Sequence, residues 1–267
     1  MGSLLASIED ADISRRFSGL DRLYGTELAQ AIRSTHIAIV GVGGVGSWAA
    51  EALARSGVGQ LTLIDMDHVA ESNINRQVQA LGDTVGMAKI EAMRARIALI
   101  NPQCVVNCVD AFAEPDNWPG ILPHTVVAVI DACDQVKTKA AIANWARHHS
   151  RIFISAGAAG GKRQAHMVDI ADLSEVTHDP LLAQVRYQLR KHHGAPKNGK
   201  TLGVQCVFSR ETVEAADVSS AIPGDGTLNC HGYGSVVTVT ASFGLSAAGW
   251  IMNKISQLEK KGALKTL

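Results

Sequence analysis

The chain has 267 residues, enough for one large domain or two small ones. With 46% hydrophobic and 19% charged residues it can bury a large core, which excludes an intrinsically disordered protein. Its 25 basic residues balance 25 acidic residues, so the overall charge gives no reason to expect a nucleic-acid partner. The five cysteines form no C-x-x-C pair, which argues against a disulfide framework or a four-cysteine zinc site and favours a reducing, cytoplasmic location.

Apolar runs and helix-like runs alternate through the first 160 residues. The sequence predicts, in chain order, a strand at 36–40, a helix at 46–57, a strand at 60–65, a helix at 85–101, strands at 104–109 and 125–132, a helix at 137–149 and a strand at 151–157. Continuous apolar strands separated by helices are typical of a parallel sheet covered on both faces. The predicted fold class is therefore α/β, with a doubly wound, mostly parallel, Rossmann-like sheet.

The second half of the chain gives a weaker pattern. Periodicity fades after residue 158, and turn residues dominate 191–203 and 219–234. We interpret 161–234 as insertions and substrate-facing loops of a single domain, 1–267, whose nucleotide-binding core spans 26–160.

The region 226–253 lacks Asp, Glu, Lys and Arg and raises the question of a membrane span. Its most apolar window, 235–252, is interrupted by Ser, Thr and Gly, whereas a span needs ~20 predominantly apolar residues. Such small residues favour a helix that lies close against other protein backbone. We therefore predict a buried helix at 235–258 and no membrane span.

The turn after the first predicted strand reads "GVGGVG". Gly41, Gly43 and Gly46 fit G-x-G-x-x-G, with Gly44 inside the motif: glycine allows the tight turn, the close approach of a phosphate and the packing of helix on strand. The N–H groups at the helix start favour an anion, and Asp65 ends the next strand, where it can meet ribose hydroxyls. This predicts a nucleotide site, in either a dehydrogenase or an ATP-consuming adenylyltransferase.

Asp65 lies in "LIDMDHVAESNINRQ", residues 63–77, and the dense polar run that follows it separates these two alternatives. A dehydrogenase does not cleave its pyrophosphate, whereas an enzyme that expels pyrophosphate must stabilise the growing negative charge. Arg76 offers a planar set of donors beside Asn73 and Gln77, and Lys89 adds a second cation. The run favours ATP over a nicotinamide cofactor.

Two carboxylates stand at and just beyond the end of the strand predicted at 125–132, in "DACD". Asp131 and Asp134 should lie at the carboxyl edge of the sheet, where open sheets of this type bind ligands. A carboxylate there can hold Mg²⁺ on ATP phosphates. Taken alone, Asp134 could instead be the N-cap of the following helix.

The motifs G-x-G-G-x-G, D-x-D-x-V, S-N-x-N-R-Q, V-G-x-x-K and D-x-x-D follow one another in this order. Together they resemble the ubiquitin-activating-type (ThiF/MoeB-like) adenylyltransferases. The resemblance implies a homodimer that uses Mg-ATP to turn a carboxylate into an acyl-adenylate, with Arg76, Lys89 and Asp134 as catalytic residues and Asp134 as the Mg²⁺ ligand. The implied nucleotide-binding set comprises Gly41, Gly43, Gly44, Gly46, Asp65, Asp67, Asn73, Arg76, Gln77, Lys89 and Asp131.

Longer segments, among them "RRFSGLDRLYG", "DPLLAQVRYQLRK" and "GYGSVVTVTASFG", closely resemble the tRNA threonylcarbamoyladenosine dehydratases. That resemblance implies a tRNA substrate whose threonyl carboxylate, next to the anticodon, is adenylylated. The neighbouring carbamoyl group then closes a ring and expels AMP. The alternatives are an activator of a small sulfur-carrier protein and a nucleotide-binding redox or scaffold protein.

Charge segregation gives modest support for tRNA. Between 180 and 210 the chain has no acidic residue, and the predicted tRNA contacts are Arg186, Arg190, Lys191, Lys197 and Lys200. A second run without acids, 135–168, is also basic. A solvated surface remains the alternative for both runs.

Two departures from the sulfur-carrier activators concern zinc and an arginine. Those enzymes usually carry two C-x-x-C pairs, which this chain lacks, so we expect no zinc. Their arginine finger, which reaches the partner's ATP, falls at Gly19, and Arg16 or Arg22 would replace it. The resemblance also allows a cysteine desulfurase or sulfur-acceptor protein as a partner, with Cys206 or Cys230 in a sulfur relay; "GVQCVF" around Cys206 is more typical of a buried strand.

Overall fold

The computed structural model describes residues 12–149, 151–197, 199–214 and 233–264. Within these ranges the α-helices are α1 (Ile13–Tyr24), α2 (Thr26–Arg33), α3 (Gly46–Arg55), α4 (Lys89–Ile100), α5 (Val136–His148), α6 (Pro180–His192) and α7 (Val237–Lys260). The strands are β1 (His36–Val40), β2 (Gln60–Ile64), β3 (Val105–Val109), β4 (Ala128–Asp131), β5 (Ile152–Ala156), β6 (Val168–Asp172) and β7 (Gln205–Ser209). Short 3-10 turns lie at Glu71–Asn73 and Ala165–Met167.

One sheet unites the strands in the order β3-β2-β1-β4-β5-β7-β6. All neighbouring pairs are parallel except β6 and β7, which are antiparallel. The order reverses between β1 and β4, and such a switch point opens a crevice at the carboxyl ends of the strands. The predicted α/β fold with a doubly wound, mostly parallel sheet is confirmed.

The apolar strands are continuous because both faces of the sheet are covered. Along β1, Ile37 and Ile39 join the core cluster shared with α3, α4 and α7, whereas Ala38 and Val40 join the cluster shared with α5 and α6. Alternate side chains of a strand point to opposite faces, so two buried faces require apolar residues at every position.

The predicted strands and helices of the first half are confirmed, with ends shifted by a few residues. The helix predicted from 85 begins at Lys89. The strand predicted from 125 begins at Ala128, because the chain still turns at Val126, whose N–H donates a hydrogen bond to Pro123 O. Helices α1 and α2, which precede the glycine turn, were not predicted.

The segment interpreted as insertions contains regular structure that the sequence reasoning missed. Strands β6 and β7 extend the sheet, and α6 covers it. The start of α6 carried two usable signals: Asp179 is the N-cap, with its carboxylate accepting from Leu182 N, and Pro180 stands in the first turn. Cys206 lies in β7, as its apolar run predicted, and the division into a core and loops stays a prediction.

The predicted C-terminal helix is confirmed as α7, and its small residues have the expected purpose. A Cβ added at Gly244 would lie 2.4 Å from Val45 O and 2.8 Å from Ala49 N, so only glycine permits this approach to α3. Phe243 and Ala247 are buried beside it. Among the described residues, no helix has the length and apolar character required to cross a membrane.

Candidate active site

The glycine turn connects β1 to α3 at the switch point. Gly41 has φ +86°, and a Cβ there would lie 2.8 Å from Ala132 O; a Cβ at Gly46 would lie 1.8 Å from Gly41 O. Both positions therefore require glycine for the turn itself. Gly43 differs, because its Cβ would meet only Gln77 Nε2, at 4.0 Å. The space over Gly43 is open, as the close approach of a phosphate requires.

Asp65 ties the end of β2 to this turn. Its carboxylate accepts from Val42 N at 2.6 Å and from Asp67 N at 2.9 Å, and the residue is buried. Burial raises the pKa of Asp65, against the opposing effects of the Lys89 charge and the two backbone N–H groups. A carboxylate has about four lone-pair sites, so two remain for the predicted contact with ribose.

Arg76 lies on the glycine turn, with its Cδ 3.5 Å from the position of a Cβ at Gly44. Its Nη1 donates to Ser72 O at 2.6 Å and to Asn75 Oδ1 at 3.0 Å, which fixes one side of the guanidinium. Nη1 is one of three guanidinium nitrogens, which together carry five N–H donors.

Sequence reasoning missed the residues that hold Arg76 in place. Trp48 Nε1 and Thr240 Oγ1 both donate to its backbone carbonyl, at 2.9 and 3.4 Å. Thr240 belongs to α7, more than 160 residues away in sequence. No local signal could have linked the last helix to the glycine turn.

Asn73 and Gln77, predicted beside Arg76, are both buried. Asn73 Oδ1 accepts from Ala70 N at 3.0 Å and thereby holds the 3-10 turn. Gln77 Oε1 accepts from Gln79 Nε2 at 3.2 Å, and its Nε2 faces the space over Gly43. Of the two, Gln77 is better placed to meet a phosphate.

Lys89, the first residue of α4, forms an ion pair with Asp67, Nζ to Oδ2 at 2.6 Å. The lysine side chain is 9% exposed and the aspartate 51%. The cation is therefore held at the sheet edge by a carboxylate that remains half in solvent. The sequence prediction named both residues, and the structure brings them together.

Asp131 requires a correction. We predicted that it contacts the nucleotide, but the structure places it fully buried, with Lys139 Nζ at 3.0 Å and Ser155 Oγ at 2.7 Å from its Oδ2. The backbone N–H of Cys133 occupies Oδ1 at 3.2 Å. A buried charge needs such partners, so Asp131 serves the interior as the counter-ion of Lys139.

Asp134 lies three residues beyond Asp131 and is exposed. The N-cap of α5 is Gln135, which makes no side-chain capping bond, so the capping alternative for Asp134 is wrong. Among the described residues, its carboxylate accepts one hydrogen bond, a long one of 3.4 Å from Gln135 Nε2. The described residues contain no group of three metal-ligating side chains, so a metal here would need ligands from a bound substrate.

The two arginines predicted as finger replacements differ in the structure. Arg16 Nη1 donates to the carbonyls of Leu99 and Ile100, at 3.0 and 2.7 Å, and so caps the C-terminus of α4 in its own chain. Arg22 lies in the last turn of α1, is exposed and makes no side-chain hydrogen bond or ion pair to the described residues. Arg16 is exposed and keeps donors on its other nitrogens, so the finger role of both arginines stays a prediction, with Arg22 the one that has no partner among the described residues.

The predicted tRNA contacts divide in the same way. Arg186 donates to Leu173 O and Val176 O, both at 2.9 Å, and Arg190 Nε donates to Pro196 O at 3.2 Å, so both guanidinium groups fasten the chain around α6. Each guanidinium keeps further N–H donors, so the contact of Arg186 and Arg190 with tRNA phosphates stays a prediction. The three lysines of the predicted set are exposed: Lys191, Lys197 and Lys200.

Cys206 is completely buried in β7. Burial raises the pKa of its thiol far above the ordinary value, which suppresses the thiolate needed for sulfur chemistry. Cys230 lies outside the described residues.

This fold and this cluster at the switch point can be compared with known proteins. Residues 15–267 match the ThiF family. The chain belongs to the ThiF family.

Relatives of this ThiF-family protein extend over its whole length. It is 41% identical to a tRNA threonylcarbamoyladenosine dehydratase of Haemophilus influenzae, over 97% of this chain and 98% of the relative. It is 42% identical to a dehydratase of the same name from Escherichia coli, over 90% and 93% of the two chains. The solved structure of an E. coli tRNA N6-threonylcarbamoyladenosine dehydratase in complex with ATP has a TM-score of 0.84 and 41% identity, over 93% of this chain and 96% of that one.

Proposed function

We propose that this protein uses Mg-ATP to dehydrate threonylcarbamoyladenosine in tRNA to its cyclic form. The observation that carries the proposal is the cluster at the switch point: an open glycine turn with Arg76, Lys89 and an exposed Asp134 around it. A dehydrogenase has no use for such a cluster. The relatives that match this protein over nearly their full length carry the dehydratase name.

The reaction needs the carboxylate oxygen of the substrate to become a leaving group. The threonyl carboxylate attacks the α-phosphorus of ATP and releases pyrophosphate; the carbamoyl group then attacks the acyl carbon and releases AMP, which retains the carboxylate oxygen. Relative to the starting nucleoside, one water is lost. The attack is intramolecular, and its high effective molarity removes the need for a nucleophile on the protein.

Each residue has a defined task in this scheme. Arg76 and Lys89 neutralise charge that develops on the pyrophosphate, and Asp134 would hold Mg²⁺, which would supply further positive charge at the phosphates. Asp65 positions the ribose, and the backbone N–H groups of the glycine turn donate to a phosphate. When bound, Mg-ATP supplies the phosphorus electrophile.

The direct test is mass spectrometry of nucleosides from tRNA that carries threonylcarbamoyladenosine. With Mg-ATP and the purified protein, we expect a nucleoside lighter by one water, together with AMP. Reactions with NAD in place of ATP, or with EDTA, should leave the starting nucleoside. If ATP is cleaved to pyrophosphate only when a carrier protein with a C-terminal glycine is added, the sulfur-carrier alternative holds instead.

Cysteine variants test the intramolecular step separately. Cys206→Ser and Cys230→Ser, alone and combined, should retain cyclisation within about tenfold, the scale of ~1.4 kcal/mol, because no enzyme thioester is formed. The double variant is first checked for folding by circular dichroism, and cyclisation is then measured by the same mass spectrometry. A folded double variant that consumes ATP without making the cyclic product would contradict the scheme.

A homodimer forms part of the proposal, with Arg22 reaching the nucleotide of the partner. Support comes from the exposure of Arg22 at the end of α1 and from its lack of an ion pair within the described residues. The cysteine desulfurase or sulfur acceptor stays a prediction, as does the cytoplasmic location.

A further inference from the structure

A cavity of about 420 Å³ lies away from the glycine turn, between the segment after β3 and the last turns of α5. Its volume is within the ~300–1,000 Å³ range of small-molecule sites. We call it the aromatic cavity, after the lining side chains that matter here: Trp118, Asn144, Trp145, His148, His149 and His193.

The rings around this cavity are arranged in a regular way. Trp118 and Trp145 meet edge to face, with centroids 5.3 Å apart and planes at 90°. Trp145 and His149 are stacked, with centroids 5.4 Å apart and planes at 23°. Stacked and edge-on rings of this kind accept a further flat ring.

The cavity also carries hydrogen-bonding groups. His148 and His149 each use Nδ1 to donate to a carbonyl of α5, at 2.7 and 2.8 Å, so in a neutral ring Nε2 is left as an acceptor. Trp118, 8% exposed, has an indole N–H with no partner, and Asn144 has a buried Oδ1 with no partner, among the described residues. Unpaired buried polar atoms are costly, which makes them notable in a cavity wall.

Charges near the cavity are arranged unequally. On the α6 side stand the exposed Lys191 and Lys200, and Arg147 donates to Leu202 O at 3.0 Å, which holds the lysine-bearing segment against α5. Glu114 and Asp116 flank the lining residue Pro115, in the wall formed by the segment after β3. A polyanion would therefore lie along the α6 side, with the cavity at its border.

The cavity and the candidate active site are joined by one helix. Helix α5 begins at Val136, just after Asp134, and Trp145 follows nine residues later, ~14 Å along the axis. A few nucleotides of single-stranded RNA can bridge such a distance. Single-stranded loops are also the parts of RNA whose bases can be splayed out and stacked on aromatic side chains.

We propose that the aromatic cavity takes up one unstacked nucleobase of the tRNA loop that carries the modified adenosine. The proposal rests on the tRNA function proposed above and adds a second contact to it. The rings supply stacking, the histidine acceptors supply edge contacts, and the lysines on the α6 side supply contacts to the RNA backbone. Burial lowers the pKa of His193, with smaller effects in the same direction from His192 and Arg147.

The test uses anticodon stem-loop RNAs with 2-aminopurine at single loop positions, together with an unmodified tRNA transcript. With the wild-type protein, the fluorescence of one loop position should change on binding. In His149→Ala and Trp145→Leu that signal should be lost, and the Kd for tRNA should rise about tenfold, the scale of one lost base–aromatic stack. His149 is exposed, so its variant remains informative if Trp145→Leu does not fold.

His192→Ala is the matched control, because His192 is an exposed neighbour of His193 that does not line the cavity. It should bind RNA as the wild type does. The slope of log Kd against log salt should be unchanged in Trp145→Leu, since tryptophan carries no charge and no cation is removed.

The outcomes separate this proposal from the function itself. Wild-type turnover of the tRNA nucleoside, combined with unchanged RNA binding in both cavity variants, would overturn the nucleobase site and leave the dehydratase function standing. Equal loss of binding in His192→Ala would overturn it as well, because the effect would then not belong to the cavity. If the wild-type protein neither binds nor converts tRNA, both proposals fail.

Discussion

Asp134→Asn should lower the rate of tRNA dehydration by roughly 10²–10³-fold, as expected for removal of one group that stabilises transition-state charge. The side chain is exposed, caps no helix and makes a single long hydrogen bond, so the variant should fold normally. The rate is measured by nucleoside mass spectrometry over a range of Mg²⁺ concentrations. The variant should need more Mg²⁺ than the wild type, because asparagine is a weaker ligand for this hard cation.

Glu175→Gln is the matched control for this variant. Glu175 is also an exposed carboxylate whose side chain has no hydrogen bond or ion pair to the described residues, and it stands in the turn after β6. Its neutralisation should leave both the rate and the Mg²⁺ dependence unchanged. Near-normal turnover of Asp134→Asn at low Mg²⁺ would remove Asp134 from the candidate active site.

Lys139→Met should lower the free energy of unfolding by roughly 3–5 kcal/mol, because it leaves the buried carboxylate of Asp131 without its counter-ion. Both side chains are completely buried, and Lys139 Nζ also donates to the carbonyls of Asp131 and Cys133. Burial lowers the pKa of Lys139, but the nearby Asp131 and Cys133 outweigh it and raise the pKa overall, so the lysine stays charged in the interior. Urea denaturation followed by circular dichroism measures the change.

Two further variants decide whether the ion pair causes the loss. In Asp131→Asn with Lys139→Met, both charges are gone and an acceptor remains for Ser155, so most of the lost stability should return. Lys137→Met changes an exposed lysine of the same helix and should stay within ~0.5 kcal/mol of the wild type. If Lys139→Met were as stable as Lys137→Met, Lys139 would not be the counter-ion that holds Asp131 charged.

The glycine turn and the strands around it were predictable because their signals are local. Gly41 and Gly46 are required by the turn itself, because a Cβ at either position would collide with backbone atoms. The motif can be recognised in the sequence for that reason. The α7 helix was predictable for a related reason, since its small residues record the close approach at Gly244. The antiparallel edge strand β6 was not predicted, since its half-buried residues give no continuous apolar run.

The sequence contained a signal for the helix α6 that was overlooked, whereas it contained none for the aromatic cavity. Its Asp179–Pro180 start and its apolar residues Leu181, Leu182, Val185 and Leu189 follow helical spacing, so the pattern was present in the sequence and was overlooked. The aromatic cavity gave no such signal, because Trp118 and Trp145 meet only after the segment following β3 has folded onto α5.

The sequence by itself determined the nucleotide turn, the alternation that builds the sheet and the set of charged residues from which an active site could be made. Only the tertiary structure decided which of those charges are free. Asp131 is buried and bound by Ser155, 24 residues away, while Asp134, three residues further along the chain, is exposed. A backbone turn depends on neighbours in sequence, whereas a charged side chain pairs with whatever the fold places beside it. That is why the motifs could be located by pattern, but the residues free to act on a substrate could not.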